Sequence, residues 1–393
     1  NEQFFDHYFY QLAQQNYEDC FKHLDALQSS ANAVEGLKLL ATFDMFYYAF
    51  NYVSNKDKNR TASLEMLKAR VVEDIGMCHE SVFQEVVLIL NIKLRVIDLY
   101  QAITSLPLVE DMIARLTNEL GIIESIQTYE VEPYKEVLTF ELTIIKNLLS
   151  AHFGLTQFNY FNTILSLALC QKALQSWERV FYYKKYSPHA NTNSLSEYNH
   201  IYIWMLRFFH SLLAKASLYF SEFLLGSEGI GLREYGEEYV TSYRIQAKCA
   251  ELNINTVGLV LELSEPDIYR NWLEKGYSCA QESSVEVEND ETFAYIYYYE
   301  IDQTWENVKE RMLDCLRSEI DALQKAKTMC ILKEVESDAV LMIKVDVHVY
   351  MICGYRDSFN RSESQKRLIS DFVNGMAAQL KTATPKVRKE GCL

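Results

Sequence analysis

An α+β protein is predicted, with a mostly antiparallel helical bundle in the N-terminal part followed by an α/β domain built on an antiparallel sheet. Three observations carry the prediction. The 393 residues include only 13 glycines and five prolines, and no proline precedes Pro107, so little interrupts long helices in the first half. Hydrophobic residues make up 49% and charged residues 23%, which gives enough apolar material for a sizeable core and more than one domain. Beyond Leu225 short apolar runs of strand length begin to alternate with helical periodicity.

Taken in order, the first helix is expected over Glu2 to Gln28, ending at Ser29-Ser30. A second takes Val34 to Val53, with Leu37, Leu40, Ala41 and Tyr48 on one side. Asn55 to Arg60, all charged or Asn, reads as a loop. A third helix runs from about Ala62 to Gly76, and a fourth carries Val86 to Leu90 onward to Leu106, where Pro107 ends it. Val109 to Ser125 is another. Pro133 suits the first position of the next helix, which should reach His152 before Gly154 breaks it. Gln157 to Lys185 follows, then an Asn- and Ser-rich loop over Ser187 to Ser196. Glu197 to Leu225 closes the bundle. Its core, Ile201 to Leu225, is long enough to span a bilayer, but Arg207, His210, Lys215 and Glu222 interrupt it, so a helix buried in protein is expected and membrane insertion is not.

Four glycines, Gly226, Gly229, Gly231 and Gly236, mark the domain boundary. The expected division is a bundle over 1–225, a Gly-rich linker over 226–236, an α/β domain over 237–380 and a basic flexible tail over 381–393 that carries Lys381, Lys386, Arg388 and Lys389. Within the α/β domain a helix over Glu237 to Leu252 leads to a strand at Thr256 to Leu263. The acidic Ser264 to Glu291 reads as one long solvated loop. An aromatic strand follows at Thr292 to Tyr299, in which Tyr298 should face away from Tyr297 and Tyr299. Thr304 to Lys325 is a helix. Two strands, Met329 to Val335 and Val340 to Met351, flank the turn signal Glu336-Ser337-Asp338, and Ser362 to Leu380 is the last helix. This order is that of the three-layer roadblock, longin and profilin type, an analogy of arrangement only.

Function classes fall away one by one. A formal charge of −16 repels nucleic acid and anionic lipid, so neither is an expected partner. Nine scattered cysteines without a Cys-x-x-Cys pair fit small buried hydrophobes in a reducing, cytosolic compartment. Cys170, within Leu167-Ala168-Leu169-Cys170, is typical. No P-loop is present, and Gly229-Ile230-Gly231 reads as a hinge rather than a dinucleotide fingerprint. Glu197-x-x-His200 is a single Glu-x-x-His where a di-iron bundle needs two. Cys78 and His79 are adjacent on a helix and diverge by about 100°, and His210 reads as a buried, hydrogen-bonded histidine. No catalytic residue, metal ligand or cofactor site is therefore expected.

One stretch is more specific. Leu174-Gln175-Ser176-Trp177, then Trp204-Met205-Leu206 and Leu212-Leu213-Ala214-Lys215 with Ser217, Tyr219, Phe220 and Glu222, resembles the KICSTOR complex subunit 2 family. The likeness extends to Glu2-x-Phe4-Phe5-x-His7, to Leu39-Leu40-Ala41, and to the element order of Asn253 to Leu380; the 264–291 loop departs from it. The resemblance implies a non-enzymatic scaffold. Its partners would be kaptin, an integrin-alpha-repeat propeller protein, a very large scaffold subunit and the GATOR GTPase-activator complex. Its place would be cytoplasmic, peripheral at the lysosomal membrane, and its effect to restrain TOR kinase signalling on nutrient loss. Two alternatives stand beside it: a small-molecule sensor or enzyme with a pocket between bundle and α/β domain, and a platform acting directly on GTPases.

Overall fold

The computed structural model describes residues 2–25, 31–50, 58–76, 81–103, 109–182, 199–221, 239–274, 292–301, 307–326, 330–335, 338–356 and 360–381. Among them the helices are α1 (Glu2–Ala13), α2 (Tyr17–Asp25), α3 (Ala31–Tyr48), α4 (Lys58–Gly76), α5 (Ser81–Ile103), α6 (Val109–Glu124), α7 (Glu132–Thr156), α8 (Tyr160–Tyr182), α9 (His200–Tyr219), α10 (Ser242–Leu252), α11 (Pro266–Leu273), α12 (Val308–Ala326) and α13 (Glu363–Lys381). The strands are β1 (Thr256–Glu262), β2 (Phe293–Glu300), β3 (Ile331–Val335), β4 (Asp338–Lys344) and β5 (Val349–Tyr355). The expected α+β class is what the chain adopts. Two compact units divide it, one formed by residues 1–150 with 166–209, the other by 151–165 with 210–383. The Gly-rich stretch 226–236, the loop 187–196 and the tail beyond Lys381 lie outside the described residues.

In the helical unit, α5 and α7 bury residues on several faces. On α7, Tyr134, Val137, Leu138, Glu141, Leu142, Ile144, Ile145, Leu148 and Leu149 are all buried, a spacing that wraps more than one face of the helix and requires neighbours on several sides. Helix ends explain most differences from expectation. The first predicted helix is two, because Gln15 takes φ 57° and Asn16 N–H bonds back to the Gln11 carbonyl at 3.0 Å, closing α1 in a left-handed cap that glycine usually supplies. Phe50 does the same for α3 at φ 56°. An L-residue there costs about 1–2 kcal/mol, offset by packing of the buried Phe50 ring on Tyr100 and Trp204, at 5.2 and 5.5 Å between centroids. Part of the loop expected at Asn55 to Arg60 is already helical, since α4 starts at Lys58.

Gly154 does not break its helix, which continues to Thr156. A Cβ there would stand 2.6 Å from Thr163 Oγ1 and 3.1 Å from Thr163 N. The glycine thus permits close approach of α8, and the turn falls instead at Phe158, with φ 53° and its ring against Phe220 and Trp272.

In the sheet unit the strand order is β2-β1-β5-β4-β3, antiparallel throughout. The helix α12 covers one face through Met312, Leu316 and Leu323, packed on Val260, Val340, Met342 and Ile352. On the opposite side α13 buries Ile369, Val373, Met376, Ala377 and Leu380 at helical spacing. A bulge between Leu259 and Val260 in the β1–β2 register brings Tyr295 and Tyr298 to one face, their rings 5.3 Å apart. Gly258 makes room for them, since a Cβ there would lie 2.6 Å from the Tyr295 ring. Arg361 closes the C-terminus of α10, donating to the Leu252 carbonyl at 3.1 Å and the Asn253 carbonyl at 2.6 Å, a favourable place for a cation.

Two expectations for this unit need correction. The run Val340 to Met351 is two strands, because the Val345 and Asp346 amides both bond to the Val349 carbonyl, at 2.8 and 3.0 Å, and fold the chain into a hairpin. The 264–291 segment is not all loop, for Pro266 at the N-terminal position of α11 starts a helix. That helix is pinned by the buried Ile268 and by Asn271 donating to the Gln157 carbonyl at 2.8 Å.

Candidate functional site

Two clusters of buried ionisable groups stand out, one in each unit. In the helical unit Asp44 comes from α3, Lys93 from α5 and Glu141 from α7, each at 0% exposure. Every one of them occupies a position where helical periodicity calls for an apolar residue. Lys93 Nζ donates to Asp44 Oδ1 and, at 3.0 Å, to the Tyr134 hydroxyl. Tyr134 in turn donates to Asp44 Oδ1 at 2.7 Å, and Tyr17 donates to Oδ2 at 3.4 Å. The ammonium also lies over the rings of Tyr47, Tyr48 and Tyr134, at 4.8, 4.5 and 4.5 Å from their centroids, a cation–π cage that partly replaces lost hydration. Next to it, Glu141 Oε1 accepts from Tyr47 at 2.6 Å and Tyr100 at 2.7 Å. Burial, with Asp44 or Glu141 nearby, pushes the Tyr17, Tyr48 and Tyr134 hydroxyls well above their ordinary range, so they stay neutral donors.

In the sheet unit Lys215 of α9 donates to Asp346 Oδ2 at 2.5 Å. Tyr219, one turn further along α9, donates to the same oxygen at 3.2 Å, and the Val347 amide donates to Oδ1 at 3.1 Å. Burial raises the Asp346 carboxyl, but the charge and hydrogen bond of Lys215 outweigh it and leave the group below its usual range. His152, from the end of α7, sits beside this pair. Burial first, and the Lys215 charge second, push its imidazole down to about 4, and its Nδ1 is buried without a hydrogen bond.

Most residues that the sequence singles out for chemistry prove structural or lie outside the described residues. Cys78, His79, Glu197 and the glycines at 229 and 231 are in the latter group. His200 opens α9, whose amide at Tyr202 is capped by the buried Asn199 side chain at 2.8 Å. His210 is half-buried, contrary to the buried site expected, with its ring 6.1 Å from that of Tyr239. Trp177 is fully buried against Tyr48 and Tyr202. Burial raises the thiols of Cys20, Cys170 and Cys353 far up and that of Cys249 to about 12, which makes each a poor nucleophile. Among the described residues no three His, Cys, Asp or Glu side chains are placed to hold a metal ion, and no helix is long and apolar enough to cross a membrane.

Facing outward, α8 carries Phe161, Leu165 and Leu169 at 54%, 46% and 46% exposure. Their spacing of four puts them on one face, and no Asp, Glu, Lys or Arg occurs from Tyr160 to Gln171. Neither cluster was legible as a site, although a charged residue inside an apolar helical stripe, as at Asp44, Lys93 and Glu141, is the signal that could have found the first.

The class that these features define is a two-unit α+β protein, a helical bundle with an antiparallel α/β sheet unit, in which each unit buries a lysine–aspartate pair. The chain belongs to the KICSTOR complex C12orf66 like family, whose model matches residues 70–388. It is also 26% identical over 98 residues to KICSTOR subunit 2 of Xenopus laevis, a stretch that covers 24% of this chain and 22% of that relative. The matched stretch thus spans about a fifth of the relative's length.

Proposed function

We infer that the chain is a non-enzymatic scaffold subunit of a KICSTOR-like complex. The observation that carries the reading is the family match across residues 70–388, which takes in helices of the bundle and the whole described sheet. In this reading it assembles with kaptin, an integrin-alpha-repeat propeller protein and a large scaffold subunit. The assembly recruits the GATOR GTPase-activator complex to the lysosome surface and restrains TOR kinase signalling on nutrient loss. Two further features support a role in assembly. The buried Lys93 and Lys215 are engaged by Asp44 and Asp346, and the uncharged α8 face is the kind of apolar surface that protein interfaces use at their centres.

Affinity purification from cells of the source organism tests the reading. Recovery of propeller and scaffold subunits with the chain, and their loss of GATOR association when the chain is deleted, are the expected results. Isolation of a lone chain from cells that contain those proteins overturns it. A metabolite screen by thermal shift addresses the sensor alternative, since a tight ligand raises stability by mass action; a flat screen retires it.

A further inference from the structure

The buried cluster of the helical unit does not balance its charges. Among the described residues it contains one cation, Lys93, and two carboxyl groups, Asp44 and Glu141, all fully buried. Facing Glu141 are Tyr47 and Tyr48 from α3 and Lys93 and Tyr100 from α5, while Tyr134 of its own helix α7 and Tyr17 of α2 turn toward Asp44 of α3. No second cation is among them. Lys93 is committed to Asp44, which also receives Tyr134 and Tyr17. Glu141 receives two short bonds at Oε1, yet its Oε2 is buried with no hydrogen bond. An ionised carboxylate with one buried oxygen that no protein donor meets at hydrogen-bond distance carries a desolvation cost that tyrosine donors on the other oxygen offset only in part. A proton on Oε2 removes that charge and leaves the cluster neutral.

We propose that Glu141 is carried as the neutral carboxylic acid in the folded helical unit, so that this unit takes up one proton from solvent when it folds and loses stability as pH rises. The balance of forces at the group has the same sign. Burial raises the carboxyl, and the opposing influences of Lys93, Tyr47, Tyr100 and Tyr48 do not bring it back to its ordinary value. The Tyr48 and Tyr134 hydroxyls, pushed up by burial, hold their own protons. A carboxyl raised in the folded state contributes stability that is complete below its unfolded value and is lost as pH rises through the folded value. In that window each pH unit raises the unfolding equilibrium constant about tenfold.

The test uses the full chain with carbonyl-labelled glutamate and does not depend on partner assembly. Isotope-edited infrared spectra near neutral pH are expected to show a protonated carboxyl stretch, and Glu141→Gln is expected to remove it. Urea unfolding of the same two proteins is expected to show the variant gaining on the wild type by about tenfold in equilibrium constant per pH unit above about pH 5. Absence of the protonated stretch from the wild type overturns the proposal, and that measurement stands even if the variant fails to fold. A stretch that persists in a folded Glu141→Gln also overturns it, as does a stability difference that is flat with pH.

Discussion

The two units each bury a lysine against an aspartate under a tyrosine hydroxyl: Lys93 with Asp44 and Tyr134, and Lys215 with Asp346 and Tyr219. They differ in the third ionisable group. Beside the first pair stands an acid, Glu141, which burial raises; beside the second stands a base, His152, which burial and Lys215 depress. Both third groups avoid charge, so they respond to pH in opposite directions. Beside similar lysine–aspartate pairs, the nature of the third buried group therefore sets the sign of the proton response: an acid is held towards its neutral form by burial in one unit and a base in the other.

Removing the cation is the harshest way to probe the pairs. Lys93→Met leaves Asp44 as an uncompensated charge at 0% exposure and is expected to cost about 3–5 kcal/mol. Lys215→Met leaves Asp346, whose side chain is 14% exposed and keeps the Val347 amide and the Tyr219 hydroxyl. Its cost is expected nearer that of one hydrogen bond to a charged group, about 1.5–3 kcal/mol. Hydrogen exchange on peptides from α3 and from β5 reads the two units separately. A larger loss at β5 in Lys215→Met than at α3 in Lys93→Met would break the comparison.

The pH response of the second cluster gives the next largest effect. A histidine depressed in the folded state contributes stability that is present above its unfolded value and lost as pH falls through the folded one. For His152 that window runs from the ordinary 6.5 down to about 4, about 3 kcal/mol across the whole span. His7 and His23, in ring contact at 4.4 Å between centroids, are also lowered, chiefly by burial, so the acid limb is shared with the helical unit. His152→Leu is therefore expected to flatten the acid dependence of exchange at β5 and leave that at α1 as it was. An unchanged acid limb at β5 would show that His152 meets no penalty on charging.

Legibility in the sequence tracked the kind of signal involved. The helix over 109–124 and the β3–β4 hairpin were readable because periodicity or a polar turn marked their limits. The breaks at Gln15 and Phe158 were not, since large residues take a left-handed conformation there for the sake of packing that only the folded chain reveals. Gly154 misled for the converse reason: it is needed for the approach of Thr163, not for a break. The Val345–His348 turn hid in an alternating apolar run, where Asp346 reads as a solvent-facing strand residue although it is the partner of Lys215. Nothing nearby in the sequence marks Lys93 or Glu141 as a member of a cluster, because the groups each one meets, Asp44 for Lys93 and Tyr47 and Tyr100 for Glu141, lie on other helices far off in sequence.

The smallest expected effect on stability sharpens the comparison from outside. Both clusters point inward, so their variants should move stability and leave partner recognition alone in whatever folded protein remains. The α8 face should do the opposite. Leu165→Gln keeps a good helix former at a position already 46% exposed and is expected to change stability by less than about 1 kcal/mol. If the face is the centre of a partner interface, truncating one of its large side chains should weaken capture of the partner subunits by about 30-fold or more, the scale of an interface hot spot at about 2 kcal/mol. Quantitative co-purification against wild type, alongside Lys215→Met at matched folded concentration, separates the two behaviours. Full partner recovery by Leu165→Gln would remove this face from the interface, and partner loss by Lys215→Met would show that the inward pair shapes a binding surface after all.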